Sequence, residues 1–427
     1  MPGHPRPAFL RAAAACLLLG AAAPLGAQAA PDLRTEVPAG GETERYLRAL
    51  QTAGAAPLYP WTLRGFSPAE LEVIVPADGD HPWAARLPAA PADSAQDAAP
   101  SLRMGLLRPR MDAVFNSAYP QGENDGPVWA GRGMTLSAAA GVQLRVGALS
   151  ARLEPLVFWT ENRDFDLVPL ADSIRFRDAR TPRTVDLPQR FGDGSFARVD
   201  PGESWVRVDA RGVAVGASTA TQVWGPATDQ PLVLGANAAG FPHVFLGTSR
   251  PWNVGIGRLH ARILWGSLGQ SAYSPMQGHG SRRFMSGVLG TFQPRGLDGL
   301  EVGIARFFHD PWPHGGLGSK QLFRPVESFF KVSLRGRDEP GGTVGTENQL
   351  ASIFARWVLP RAGVEVYGEY MRDDYNWDVL DALLEPERSR GYLVGGRKVW
   401  LRGPRMTALR AEWVATQQAH IVQAQYT

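Results

Sequence analysis

Cysteine is nearly absent from the sequence. The single residue, Cys16, lies within an apolar stretch at residues 12–23, close to the N-terminus. An exported chain without cysteine beyond that stretch has no disulfide framework and no thiol nucleophile. Structural zinc would also lack its usual sulfur ligands. We therefore expect neither a metal centre nor a cofactor.

Charge of one sign is not concentrated anywhere in the chain. The 427 residues include 44 basic and 41 acidic side chains, which gives a formal net charge of +3. Only Lys320, Lys331 and Lys398 are lysines, so arginine supplies almost all of the positive charge. Because no block of five or six like charges occurs, the sequence shows no electrostatic footprint for DNA or RNA. Nucleic acid is thus not an expected partner.

Long hydrophobic runs are missing as well. The first 29 residues resemble a secretory signal, with Arg6 and Arg11 before the apolar stretch and a small-x-small site at Ala27-Gln28-Ala29. After them, no stretch approaches the ~18 apolar residues of a membrane-spanning helix. If the exported chain crosses a membrane, it must do so as a closed β-barrel.

Helical patterns are confined to residues 40–88. Tyr46, Leu47 and Leu50 share one face at helical spacing, and Ser67 with Glu70 forms a capping box around Pro68. Residues 89–100 are rich in alanine, proline and aspartate, a composition typical of a linker. We expect a small helical region at 40–88, followed by the linker at 89–100.

Beyond residue 100 the hydrophobic pattern has a period of two. About fourteen candidate strands follow one another, many with one polar and one apolar face. Several are long, aromatic residues lie near their ends, and the connections alternate between very short and long. A soluble β-sandwich shares the alternation but not these three features. The sequence favours an all-β fold, a transmembrane antiparallel β-barrel over residues 101–427, in the outer membrane.

The segment from Ser204 to Tyr273 contains an ordered series of short motifs. They are Ser218-Thr219, Gln222, Trp224-Gly225-Pro226, residues 232–234, Asn237-Ala238, Phe241-Pro242 and Trp265-Gly266. With these motifs the segment resembles the Wzi family of capsule assembly proteins. The resemblance implies an 18-stranded outer-membrane barrel with periplasmic helices, which binds capsular polysaccharide and carries no catalytic residues. The segment before Gln222 lacks an expected acidic residue. Since the chain ends at Thr427 and not at an aromatic residue, we expect the barrel to be incomplete at that end.

Enzyme motifs are absent. The sequence contains no H-E-x-x-H, no phosphate-binding loop and no nucleophile elbow, and its G-x-G run at Gly255 lacks the last glycine. His309, Asp310 and His314 share one loop, where a solvated role is favoured over metal binding. Asp373 and Asp374 could be imagined as a glycosidase pair, but a polar loop is again favoured. We expect a protein that is not an enzyme.

Aromatic and charged residues in the connections are candidates for sugar contact. A rigid ring can cover the apolar face of a pyranose, and charged groups can bind hydroxyls. Each tryptophan also has a structural alternative: an interfacial anchor for Trp312, and an anchor or lumen packing for Trp224. The candidate glycan-binding residues are Arg372, Asp373, Asp374, Tyr375, Trp377, Trp312 and Trp224.

The lumen of the predicted barrel contains many arginines. Arg258, Arg262, Arg306, Arg356 and Arg397 lie in candidate strands, and Glu301, Glu365 and Glu369 could pair with them. A salt-bridged network would fill the lumen, whereas an open strip of arginines would make a porin-like channel for anions or sugars. The first alternative predicts a monomeric anchor for capsular or other surface polysaccharide, in contact with outer-membrane lipid.

Overall fold

The computed structural model describes residues 37–76, 102–180, 186–274, 282–312, 316–326, 348–373 and 390–416. The predicted signal at 1–29, the linker at 89–100, and Asp374, Tyr375 and Trp377 lie outside the described residues. None of the described helices is long and apolar enough to cross a membrane.

The structure confirms the predicted fold class, an antiparallel β-barrel wall with a small N-terminal helical region. The helices are α1 (Glu42–Thr52), α2 (Pro68–Ile74) and α3 (Ser319–Phe323). The eighteen strand segments are β1 (Arg103–Leu106), β2 (Arg110–Asn116), β3 (Gly133–Ala139), β4 (Val142–Val146), β5 (Leu149–Leu153), β6 (Leu156–Thr160), β7 (Phe196–Asp200), β8 (Trp205–Ala210), β9 (Val213–Ser218), β10 (His243–Thr248), β11 (Trp252–Asn253), β12 (Gly257–Gly269), β13 (Arg282–Pro294), β14 (Leu300–Pro311), β15 (Asn348–Leu359), β16 (Val364–Asp373), β17 (Arg390–Arg402) and β18 (Arg405–Ala415).

All described strand pairs are antiparallel. The larger sheet runs β1-β4-β5-β8-β9-β10 and then β12 to β18 in order, with the short β11 beside β12. From β12 to β18, neighbours along the chain pair as hairpins, and their connections alternate between long loops and short turns. The wall therefore has a short-turn end and a long-loop end, as the sequence predicted.

The first strands of the wall are each interrupted once. Segments β2, β3, β6 and β7 form a separate four-stranded sheet, and each follows or precedes a segment of the larger sheet within a few residues. At one break, a Cβ on Gly141 would lie 2.0 Å from the carbonyl oxygen of Leu153. Phe196 packs on the buried Phe158, while Trp205 and Arg207 are buried beyond the break at 201–204. Because Phe196 and Trp205 both face inward with an even number of residues between them, that break shifts the alternation by one residue, as a β-bulge does.

The outer face of the wall is apolar. Exposed side chains such as Val244, Ile353, Val366 and Val394 alternate with inward ones. Tyr392 and Trp400 share the outer face of β17 at positions that are about 26 Å apart along an extended strand. Trp252, Trp357 and Trp400 lie near the short-turn end, and Trp265, Tyr370, Tyr392 and Trp413 near the long-loop end. This is the arrangement of an apolar band between two aromatic girdles.

A hydrophobic core occupies the lumen. Residues 219–242, here called the inner loop, enter the barrel between β9 and β10, and Trp224 is only 2% exposed there. The core contains inward side chains of six strands, two side chains of the inner loop and one from the N-terminal region. It consists of Leu63, Ala214, Trp224, Val233, Phe245, Leu264, Met285, Leu289, Ala305, Phe307 and Phe354. Gly287 is required beneath the indole, because a Cβ there would lie 2.5 Å from Trp224.

The N-terminal residues 37–76, here called the plug, have a small core of their own. It contains Tyr46, Leu47, Leu50, Tyr59, Trp61, Phe66, Leu71 and Ile74. The predicted capping box is present: Ser67 Oγ accepts from the Glu70 amide at 3.2 Å, and Glu70 accepts from the Ser67 amide at 2.9 Å. Gly54 of the plug approaches Pro360 in the β15–β16 turn. The plug therefore lies at the short-turn end.

A buried ionic network joins the plug to the wall. Arg48 of α1 donates to Glu365 of β16, and Arg356 of β15 donates to the same carboxylate at 3.0 Å. Arg356 also lies 3.5 Å from Glu301, which accepts from the amide of Trp61 at 2.9 Å. The four charged side chains are at most 1% exposed. The predicted pairing of Arg356 with Glu301 and Glu365 is present, whereas Arg48 was not foreseen.

Arg306 departs from the predicted set of luminal arginines. Its neighbour Phe307 belongs to the lumen core, so the alternation of β14 turns Arg306 to the outer face. There it donates to Gln349 at 2.8 Å and lies over the ring of Phe308.

We predict that Glu365→Gln destabilises the protein by about 3–5 kcal/mol, because it leaves Arg48 and Arg356 buried without their shared anion. Chemical unfolding of the detergent-folded protein, followed by circular dichroism, measures the loss. Glu72→Gln is the matched control, since Glu72 is half exposed and its contact with Arg145 is 3.4 Å long; it should change stability by no more than about 0.5 kcal/mol. Equal losses in both variants would contradict the role of the network.

Acid should weaken the plug. Burial acts to raise the pKa of the Glu44 carboxyl, but the Arg64 guanidinium at 2.6 Å outweighs it and holds that pKa below its usual value. The Glu70 carboxyl behaves in the same way beside His260, at 3.0 Å. A carboxyl whose folded pKa is lowered stabilises the fold above its unfolded pKa, and this contribution is lost as pH falls through the folded pKa.

We therefore predict that the thermal midpoint falls as pH is lowered below about 4.3, the ordinary pKa of glutamate. Glu44→Gln should show a smaller fall, because its side chain no longer titrates. Glu42→Gln, on the exposed face of the same helix, should keep the full fall. A midpoint that stays constant from pH 7 to pH 3 would show that these carboxylates do not support the fold.

Candidate functional site

A wide cleft opens at the long-loop end of β2, β3, β6 and β7. Its volume is about 1030 Å³, at the upper end of the range for small-molecule sites. The walls come from the β2–β3 loop and from the β6–β7 loop at residues 161–195. The lining residues are Ser117, Ala118, Tyr119, Arg132, Asp164, Phe165, Asp166, Leu167, Val168, Pro169, Leu170, Asp172, Arg175, Arg190 and Asp193.

Asn162 holds the base of the β6–β7 loop, which is the longer of the two. It has a left-handed backbone with φ of 45°, a conformation that asparagine tolerates better than most residues. The side-chain amide donates to the carbonyl oxygens of Phe191, Gly192 and Gly194 at 3.0, 3.2 and 3.0 Å. This fully buried residue therefore ties the two ends of the loop together.

Two further contacts stiffen the walls. Arg132 donates to the carbonyl oxygen of Asp164 at 2.7 Å and to that of Ser117 at 3.3 Å, so it joins the two loops. Across the longer loop, Gln189 exchanges two hydrogen bonds with the backbone of Val168, at 3.0 and 3.3 Å. The cleft is thus built before any ligand arrives.

The polar lining is balanced in charge. Three arginines face four aspartates, and Asp193 lies 3.2 Å from Arg175 and 3.1 Å from Arg190. Arg190 is 3% exposed, whereas Arg175 is exposed at the rim. Such a lining offers hydrogen-bond donors and acceptors to hydroxyl groups. It has no excess of positive charge that would attract an anion.

Aromatic rings lie beside this polar lining. Tyr119 is 67% exposed and meets Phe165 edge-on, with ring centroids 5.4 Å apart. Behind the cleft, Arg198 lies 3.7 Å from the ring of Trp129, which packs on Phe191. An exposed ring next to carboxylates and guanidinium groups can stack on a sugar while its hydroxyls are hydrogen-bonded.

Within the described parts of the chain, no group of three or more His, Cys, Asp or Glu side chains could hold a metal ion.

Of the candidate residues from the sequence, the structure describes Arg372, Asp373, Trp312 and Trp224, and these do not form one cluster. Arg372 and Asp373 are neighbours in β16, and Met371 packs on the lumen core. By alternation, Arg372 turns to the outer face and Asp373 to the inner face. Arg372 is 9% exposed. The remaining members of that loop, Asp374, Tyr375 and Trp377, lie outside the described residues.

The two other tryptophans have different surroundings. Trp224 is buried in the lumen and meets Phe307 edge-on at 6.5 Å, so neither face of its ring is accessible. Trp312 lies at the outer face of the wall, edge-on to Phe284 at 5.8 Å and covered by Arg282 at 3.7 Å. Both placements match the structural alternatives given for these residues, and their glycan contacts stay predictions.

The cleft residues were missed by sequence reasoning. They come from loops that lack hydrophobic periodicity, and no motif joins Tyr119 to Asp193. One signal was present: the stretch from 161 to 195 is longer than an ordinary connection, and long loops often carry function. Its content of alternating aspartates and aromatics could have drawn attention to it.

We predict that Asn162→Asp loosens the longer loop without unfolding the wall. Aspartate keeps the tolerance for a left-handed backbone but removes the amide donor, and each buried carbonyl left unpaired costs about 1–3 kcal/mol. Hydrogen exchange at residues 186–195 should become faster, while exchange in β13 and β14 stays unchanged. Faster exchange throughout the barrel, or none in the loop, would contradict this role of Asn162.

No family model matches the chain, and no curated protein matches it in sequence. Among solved structures, it is similar to Wzi, an outer-membrane protein of Escherichia coli that is involved in group 1 capsule assembly and described as a carbohydrate-binding β-barrel. The TM-score is 0.53 at 15% identity, and the match covers 88% of this chain and 71% of that one.

Two channel proteins are more distant. For OccK10 (OpdN) of Pseudomonas aeruginosa the TM-score is 0.31 at 12% identity, covering 73% of this chain and 77% of that one. For the outer-membrane channel DcaP of Acinetobacter baumannii it is 0.26 at 10% identity, covering 75% and 91%. These two scores are too low to support an argument.

The match to Wzi shows that the chain has a Wzi-like fold, that of an outer-membrane β-barrel.

Proposed function

We propose that this protein binds capsular or other surface polysaccharide at the long-loop end of an outer-membrane barrel, without catalysis. The observation that carries the proposal is the cleft beside Tyr119, in which an exposed ring lies next to a charge-balanced set of carboxylates and guanidinium groups. Single contacts of this kind are weak. A repeating polymer can engage many barrels in one membrane, and multivalency then gives firm attachment.

The contents of the lumen favour an anchor over a channel. The inner loop fills the middle of the lumen with apolar side chains, and the plug lies at the short-turn end. In the proposed orientation the short-turn end faces the periplasm, and the cleft faces the outside. A porin-like channel for anions or sugars is the alternative, and it requires a path through this core.

The proposal predicts saturable binding of the full chain, in liposomes, to surface polysaccharide purified from its own source organism. Tyr119→Ala should weaken binding about tenfold, or ~1.4 kcal/mol, because the stacking ring is lost. Tyr119→Phe is the matched control, since it keeps the ring and loses only the hydroxyl. Trp377→Ala, tested in parallel, shows whether the β16–β17 loop contributes.

A conductance trace on the same preparation separates the two functions. An anchor should leave planar bilayers silent, whereas steady single-channel currents without polysaccharide binding would establish the channel. Binding that survives Tyr119→Ala but is lost with Trp377→Ala would move the site from the cleft to that loop.

A further inference from the structure

One part of the outer wall is covered. Strand register and alternation turn Ser286, Phe308 and Gln349 outward at the level of Trp265, yet they are only 2%, 1% and 2% exposed. Closer to the short-turn end, Ile304 and Ile353 face outward and are 45% and 60% exposed. Something other than a strand therefore lies on the wall near its long-loop end.

Residues 316–326, here called the strap, pack on this part of the wall. The strap contains α3 and a following helical turn, which contacts β13 and β14. The indole of Trp265 donates to the carbonyl oxygen of Leu322 at 2.9 Å, and Pro325 is buried. Arg324 lies 3.9 Å from Asp310 at the end of β14. Since Trp265 belongs to the outer face, the strap lies outside the barrel.

The other side of the strap is apolar and exposed. Leu317, Leu322, Phe323 and Val326 are 45%, 39%, 62% and 64% exposed. Four exposed apolar side chains on eleven residues are unfavourable in water. They adjoin the outward band of the wall, which is itself exposed and apolar.

Neighbouring side chains have the character of a membrane interface. Arg282, stacked on the Trp312 ring, also donates to Ser267 at 2.7 Å. Tryptophan and arginine with polar tips and apolar bodies are typical of the level where acyl chains meet headgroups. The strap thus lies at the level of the aromatic girdle near the long-loop end.

We propose that the strap is a lipid-contacting element, which inserts Phe323 and Val326 into the outer leaflet beside the wall. The proposal rests on the outer-membrane location given under the proposed function. Lipid is favoured as the occupant because the apolar side of the strap is continuous with the apolar band of the wall. The strap would widen the lipid contact of the barrel on the β12–β14 side and shield Arg306 from the membrane.

Single cysteines carrying a spin label test this proposal. The only natural cysteine is Cys16, so a Cys16→Ser background gives one label for each protein. Phe323→Cys and Val326→Cys place the label on the strap. Val394→Cys, on the outer face of β17, is the lipid reference, and Val168→Cys, in the cleft, is the water reference. All four natural side chains are at least half exposed, so the label should not disturb packing.

The accessibility of each label to oxygen, relative to a water-soluble nickel complex, is then measured in liposomes. Both strap labels should match Val394 and exceed Val168 several-fold. If Val394 gives a lipid-type ratio while both strap labels resemble Val168, the barrel is inserted and the strap is not in lipid, which overturns the proposal. If Val394 also resembles Val168, the membrane location itself has failed and the strap proposal falls with it. Polysaccharide binding, measured separately, does not enter either outcome.

Discussion

The shared carboxylate of Glu365 is the constraint on which the rest of the molecule depends. It binds Arg48 of the plug and Arg356 of the wall, and none of the three side chains is more than 1% exposed. Charges removed from water are tolerated only when every partner is present. Arg48 also donates to the carbonyl oxygen of Pro226 at 2.6 Å, which brings the inner loop into the same network. The plug, the inner loop and the wall must therefore fold together. The inner loop is thereby held against the inward side chains of the wall.

The fold was predictable because its signal is local, whereas the cleft was not. A period of two along β15, β16 and β17 is set by neighbouring residues and needs no knowledge of the rest of the chain. The same alternation places Arg372 and Asp373 on opposite faces of β16 although they are adjacent in sequence, and their contact with sugar stays a prediction. Tyr119 and Asp193 come to line the same cleft only after two loops have folded, and no sequence pattern links these loops. Arg48 was missed for a similar reason: its partner Glu365 is more than three hundred residues away.

The residues that carry the resemblance to capsule assembly proteins are mainly packing residues. Trp224 fills the centre of the lumen, and Gly225, with φ of 86°, lets the chain turn at a point where a Cβ would lie 2.7 Å from Glu369. Beside them Phe241 approaches Gly266 of β12, where a Cβ would lie 2.9 Å from the ring. A motif of this kind reports how the inner loop closes the barrel. It predicts the fold well, and it gives no information about a ligand of the cleft.

The position of the cleft depends on the breaks in the first strands of the wall. The loops that form the cleft leave from β2, β3, β6 and β7, which are the segments separated from the larger sheet. Gly202, with φ of 59°, is bridged to Glu154 at the break, where a Cβ would lie 2.4 Å from the Glu154 carbonyl oxygen. A bulge at this level bends the strand and so changes the direction of the segment that follows it. A continuous ladder would keep the four segments in the larger sheet, so the glycines at the breaks help determine where the cleft forms. The geometry of the cleft thus depends on backbone positions that contribute no side chain to it.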